Sequence, residues 1–237
     1  MAGHSKWANI KHRKERADAK KGKIFSRIVK EIISAVKTGG EDPKSNPRLR
    51  LALQKAKENN VPNDVVERNI KKALNTDQAE YAEVTYEIYG HGGVGIIVEA
   101  MTDNKNRTAS DMRIATNKRG GSIASPGSVA FNFDRKGIIQ IDKHLAREED
   151  LFIAASEAGA EDFDINEEIY LVITDPAALY AVKEELEKHK FPTKEANLEM
   201  IPKTTVDCDE ETAKANFDLI EWIENLDDVD AVYHNME

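Results

Sequence analysis

The period of the apolar residues changes near residue 76, and that change divides the chain. Ahead of it, apolar side chains recur every three or four residues, as one face of an α-helix requires; beyond it they alternate, as half-buried strands require. From Asp18 onward, Ile24, Phe25, Ile28, Val29, Ile32, Ile33 and Val36 form one such helical stripe, stopped by Gly39-Gly40. Asn46 as N-cap and Pro47 at the first helical position open a second helix, with Leu49, Ala52, Leu53 and Ala56 on one side and an end before Val61-Pro62. A third is expected from the capping box of Asp64 and Glu67, with Val66, Ile70 and Leu74 as its stripe. Residues 1–76 therefore read as a small three-helix domain.

Val84–Tyr89 and Val94–Met101 alternate as a β-hairpin. A helix over Thr108–Lys118 follows, broken by Gly120-Gly121, and Ile123, Val129, Phe131 and Phe133 are expected in two short strands around Pro126-Gly127. Residues 137–203 repeat the order strand (138–141), helix (148–158), strand (162–165), strand (169–174), helix (177–190), strand (194–201), a ferredoxin-like βαββαβ unit. The remainder holds one helix, Glu210–Asn225, and one strand, Ala231–Asn235, which alone have nothing to pack on. Residues 204–237 are thus expected to return and complete the domain at 77–136, with residues 137–203 inserted into it. The fold class is α+β in three domains, which 237 residues accommodate.

The charge divides at the same place. Residues 1–75 carry 19 Lys and Arg against 8 Asp and Glu, a net +11, whereas residues 76–237 carry 15 against 35, a net −20. Within residues 1–30 ten basic groups face two acidic ones. A basic end on an acidic body points to a polyanion partner. Lys6, Lys11, Arg13, Lys14, Arg16, Lys20, Lys21, Lys23 and Arg27 supply charge for phosphates, His12 belongs to the same arm, and Trp7 offers an indole that stacks on a base. The competing reading is that these cations dock on the acidic part of the same chain. A second polar cluster around Asn104, Lys105 and Arg107 stands where a strand passes into a helix, a place suited either to an anion or simply to a capped helix start.

Other chemistries find little support. Gly90-His91-Gly92-Gly93-Val94-Gly95 matches a dinucleotide-binding spacing, but a strand follows where a helix is required, so it reads as a tight turn. The six histidines are scattered and Cys208 is the one cysteine, leaving no metal-ligand cluster, no internal disulfide and no expected cofactor. Cys208 lies between Asp207 and Asp209, whose charges oppose a reactive thiolate. No acid/base pair stands out among the carboxylates, so no enzyme is expected. With neither a secretory signal nor a membrane-spanning apolar run, a cytoplasmic protein without membrane association is expected. Oligomeric state is not encoded in these patterns.

Several strings carry a family resemblance: Ala2-Gly3-His4-Ser5-Lys6-Trp7-Ala8-Asn9-Ile10-Lys11-His12-Arg13-Lys14, Lys23-Ile24-Phe25-Ser26, Thr102-Asp103-Asn104-Lys105-Asn106-Arg107-Thr108, Gly121-Ser122-Ile123, Pro126-Gly127-Ser128-Val129-Ala130-Phe131 and Leu226-Asp227-Asp228-Val229. In these, nearly end to end, the chain resembles the YebC family, which includes the mitochondrial translational activator of cytochrome c oxidase. The resemblance implies a three-domain cytoplasmic protein without enzymatic activity. It also implies a DNA-binding transcriptional regulator or, alternatively, a ribosome-associated, rRNA-binding translation factor. A protein-interaction module without nucleic acid is a further reading.

Overall fold

The computed structural model describes residues 21–75 and 81–237. They form two compact units, one of residues 130–205 and one of the described residues of 21–129 together with 206–237. The class is α+β: the described residues hold seven α-helices and two four-stranded sheets. None of these helices is long and apolar enough to cross a membrane.

Helices α1 (Lys21–Gly39), α2 (Pro47–Glu58) and α3 (Asn63–Ala73) form the helical part, α2 and α3 both packing on α1. Ile28, Ile32, Ile33, Val36, Leu49, Ala52, Ala56 and Val66 make its core. Asn46 is the hinge pin of the α1–α2 connection. Its Oδ1 accepts from Leu49 N at 3.0 Å, while its Nδ2 donates to the carbonyls of Ala35 and Gly40, each at 2.8 Å, so one buried amide satisfies a helix start and a helix end together. The expected capping box at α3 is not formed. Pro62 is the N-cap, without a side-chain bond, and Asp64 lies within the first turn, where its charge meets the positive end of the helix dipole. Because α3 ends at Ala73, which is buried, Leu74 falls outside the stripe and is 51% exposed.

In the same unit, β1 (Ala82–Tyr89) pairs antiparallel with β2 (Gly95–Thr102) along all eight residues, from Ala82↔Thr102 to Tyr89↔Gly95. Between them the glycine-rich segment makes a 3₁₀ turn with Gly92 at φ 65°, the tight turn its context demands. Helix α4 (Lys105–Arg119) ends on Gly120 in the left-handed conformation and leads into the two-residue β3 (Ser122–Ile123), which pairs with β1. The sheet order is β3-β1-β2-β8, where β8 (Val229–His234) reaches β2 after helix α7 (Glu210–Glu224). Ile88, Ile96, Val98, Met112, Leu219, Ile220, Ile223 and Val232 form the core against which α4 and α7 lie.

The two short strands expected around Pro126-Gly127 are not both present. Only Ser122–Ile123 pairs; Phe131 sits in a 3₁₀ turn, and Phe133 opens a ten-residue strand, β4 (Phe133–Asp142). The cause is Glu87. Its buried carboxylate accepts from the backbone N–H of Gly127 at 2.5 Å and of Val129 at 2.6 Å, so those donors go to a side chain rather than to a ladder.

In residues 130–205, β4, α5 (Glu148–Ala158), β5 (Asp162–Ile165), β6 (Ile169–Thr174), α6 (Leu179–Lys188) and β7 (Glu195–Pro202) follow the βαββαβ order. The sheet runs β5-β6-β4-β7, all antiparallel, which is the strand order of a ferredoxin-like fold. Ile139, Ile141, Leu151, Val172, Leu179, Val182 and Leu186 fill the space between sheet and helices.

Candidate nucleic-acid interface

The sequence-derived binding residues divide into three groups. Lys6, Trp7, Lys11, His12, Arg13, Lys14, Arg16 and Lys20 lie outside the described residues, and Lys21 stands at the start of α1. Lys23, Arg27 and Arg107 are bonded to the chain itself. Lys105 alone of the middle cluster offers an exposed ammonium in the first turn of α4, since the Asn104 side chain caps that helix by accepting from Arg107 N at 3.1 Å.

The self-directed bonds converge on the segment joining α7 to β8. Lys23 Nζ donates to the carbonyls of Glu224 and Leu226, capping the end of α7, and Arg27 Nη1 donates to the Asp230 carbonyl at 3.3 Å. Lys30 Nζ reaches the carbonyls of Met101 and Asp227 at 3.1 and 3.0 Å and Asp228 Oδ1 at 3.4 Å. Asp228 is only 6% exposed. Its Oδ2 accepts from Thr102 Oγ1 at 3.0 Å, Thr108 Oγ1 at 2.9 Å and Arg107 Nη2 at 2.7 Å, and Arg107 also donates to Asp103 at 2.8 Å. Two strings separated in sequence, Thr102–Thr108 and Leu226–Val229, thus meet around one carboxylate. Burial pushes the Asp228 carboxyl up, but hydrogen bonds from Arg107, Thr108 and Thr102, with the Lys30 ammonium nearby, outweigh it and hold the group below the usual carboxylate range.

Asp230 behaves oppositely. Burial raises its carboxyl to about 6, against the opposing charges of Arg27 and Lys30 and with help from Glu31 and Glu99. A raised folded value means that the contribution of this group is most favourable below its unfolded value and is lost as pH climbs through about 6. Asp230→Asn is therefore expected to stabilise the protein at pH 7 by about 2 kcal/mol, an advantage that disappears below about pH 4. Urea melts at pH 7 and pH 4 check this, and equal effects at both would contradict it.

With Lys23, Arg27, Lys30 and Arg107 committed, the cations that the described helical part turns to solvent are others: Lys44, Arg50, Lys57, Arg68, Lys71 and Lys72. Arg68, Lys71 and Lys72 share one face of α3 through i, i+3 and i+4 spacing, opposite the buried Val66. The sequence held this signal, since any cation between the apolar positions of an amphipathic helix must face outward. The greater charge density of residues 1–30 obscured it. Arg48 is paired with Glu83 and Lys55 with Glu31, so neither belongs to the open set. No group of three or more His, Cys, Asp or Glu side chains among the described residues is placed to hold a metal ion. Burial, followed by Asp209 and Asp207, pushes the Cys208 thiol up, away from nucleophile chemistry.

Comparison with known proteins places this arrangement. Residues 5–76 match the model described as the TACO1/YebC protein N-terminal domain, and residues 81–236 match the TACO1/YebC second and third domain. A probable transcriptional regulatory protein of Protochlamydia amoebophila is 67% identical over 237 residues, covering 100% of this chain and 97% of its own. A protein of the same description from Chlamydia pneumoniae is 64% identical, with both chains covered in full at 100%. The crystal structure of a conserved hypothetical protein from Aquifex aeolicus superposes with a TM-score of 0.88 at 44% identity, covering 98% of this chain and 97% of that one. With both family models matched across its helical and its α+β regions, this chain belongs to the TACO1/YebC family.

Proposed function

We propose that this chain is a non-enzymatic, nucleic-acid-binding regulatory protein of the cytoplasm, acting as a DNA-binding transcriptional regulator that grips phosphates through its basic helical domain. The observation that carries this reading is the open cationic surface of α2 and α3, with Lys57, Arg68, Lys71 and Lys72 exposed on a chain whose net charge is −9. The names of the relatives from Protochlamydia amoebophila and Chlamydia pneumoniae support the regulatory part of it. Residues 1–20, with six of the Lys and Arg side chains, add to the same charge.

Phosphate contacts by lysine and arginine release counterions, so binding weakens steeply with salt. If about six cations meet phosphates, the log–log salt slope is expected near −5 on duplex DNA and about −4 on a single strand. Fluorescence anisotropy of the full chain, and of one lacking residues 1–20, on a duplex DNA and on a structured RNA of equal length provides the test. Tighter binding to DNA supports the transcriptional reading. Tighter binding to RNA moves the protein to translation, with ribosomal RNA as the partner, and no binding to either removes nucleic acid altogether.

A further inference from the structure

The longest stretch of this chain without a carboxylate is not in the basic N-terminal region but in the acidic part, from Met112 to Phe133. It covers the second half of α4, the Gly120-Gly121 turn, β3 and the Ser-Pro-Gly loop. Its side chains are largely at the surface: Arg113, Ile114, Asn117, Lys118, Ser122, Ile123, Ser125 and Pro126 are all exposed, Ile114 by 48% and Ile123 by 40%.

We propose that the outward face of α4 and the adjoining loop form a second nucleic-acid contact, separate from the helical domain, for the phosphodiester backbone. It rests on the nucleic-acid reading above and extends it to a surface outside the helical domain. Three observations support it. First, the outward positions of α4, opposite the buried Thr108, Met112, Ala115 and Thr116, are Asn106, Ser110, Arg113, Ile114 and Asn117, with Lys105 and Lys118 near the two ends. That is an inventory of amide and hydroxyl donors framed by cations, the chemistry that meets phosphate, sugar and base edges. Second, Arg113 and Lys118 enter no ion pair among the described residues, unlike Arg107 on the same helix, which is spent on Asp228. Asp111 is the one carboxylate of α4 and is half-buried.

Third, the loop beside the helix is held rigid at the cost of a buried charge. The two N–H bonds from Gly127 and Val129 to Glu87, with Tyr89 Oη donating to the Ser128 carbonyl at 3.2 Å, fix a segment of small, uncharged side chains against the sheet. The turn before it is fixed too, where His91 Nε2 donates to the Arg119 carbonyl at 2.6 Å. Small side chains on a fixed backbone permit close approach of a strand, and a preorganised surface loses little entropy on binding. Helix α7, packed beside α4, exposes Glu211, Asp218 and Glu221, which repel phosphate. The strand therefore approaches from the side of β3 and the loop.

The test compares four full-length proteins on one duplex DNA and one RNA hairpin, by anisotropy from 50 to 200 mM salt: the parent, Arg113→Gln/Lys118→Gln, Arg68→Gln/Lys71→Gln/Lys72→Gln, and the charge-matched control Lys190→Gln/Lys214→Gln. Each substituted residue is exposed, and far-UV circular dichroism confirms folding. Loss of two phosphate contacts by the α4 variant is expected to weaken binding about 10- to 100-fold and to flatten the salt slope by about 2 on duplex. The control is expected to match the parent, and whichever polymer shows the loss identifies the source of the phosphates. Parental affinity and slope in the α4 variant, or an equal loss in the control, overturns the second contact while leaving the helical-domain reading intact. Failure of the parent itself to bind either polymer overturns both.

Discussion

Asp228→Ala is expected to lower stability by about 3 kcal/mol, since removing this buried carboxylate takes the acceptor from two buried hydroxyls and leaves a cavity beside them. For a unit of this size the melting transition should fall by about 6–12 °C. Four donors lose their acceptor at once: the hydroxyls of Thr102 and Thr108, the guanidinium of Arg107 and, more distantly, the Lys30 ammonium. The two threonines are buried and have few alternatives, although Thr108 Oγ1 retains the Asn104 carbonyl at 3.1 Å. Asp228→Asn preserves an acceptor and removes the charge, so a smaller loss is expected. The pH dependence separates this account from simple loss of volume. A carboxyl held below its usual range contributes stability above its unfolded value, about 3.9, and loses it as pH falls. The gap between parent and Asp228→Ala should therefore be widest near neutral pH and narrow in acid. A gap unchanged from pH 7 to pH 3 would contradict it.

Arg68→Gln/Lys71→Gln/Lys72→Gln is expected to weaken binding to duplex nucleic acid by about 100- to 1000-fold at 100 mM salt and to reduce the log–log slope by about 3, one phosphate contact per side chain removed. Stability should be nearly unchanged, because the three side chains are exposed and the core of the helical domain rests on Val66, Ala73 and the α1 stripe. Glutamine keeps hydrogen-bonding capacity and helix propensity, so the loss reports charge. A variant that binds with parental affinity and slope would remove α3 from the interface.

The elements that were legible in the sequence are those whose signals are local. Asn46-Pro47 with an apolar stripe behind it gives α2, and the stripe of Phe217, Ile220 and Ile223 gives α7, whose cap, the Asp209 side chain accepting from Thr212 N at 2.8 Å, only the structure brought out. The ferredoxin-like unit was legible because each of its strands is bounded by a helix or a turn of its own. What escaped depends on partners distant in sequence. Arg107 beside Lys105 and Asn104 has the composition of an anion site, and nothing nearby announces that Asp228 will occupy its guanidinium. Lys23 and Arg27 count toward basic charge in the sequence but are directed at backbone carbonyls beyond α7. Glu87 reads as the polar half of an alternating strand; its burial follows only once the loop at Gly127 folds over it. Net charge by segment locates a basic region, but tertiary pairing decides which of its cations remain available.

The placement of β8 has a consequence for how the molecule is made. The neighbour of β2 on that side comes from Val229–His234, so the Ile96↔His234 and Val98↔Val232 pairs close across the whole of residues 130–205. During synthesis the ferredoxin-like unit has all its strands in one continuous segment and is free to form first, whereas the β1–β2 hairpin waits with a bare, apolar edge until the last strand leaves the ribosome. A nascent chain arrested just before Val229 would carry a folded inserted unit beside an unfinished sheet, and for that interval the protein is most exposed to mispairing with another copy of itself.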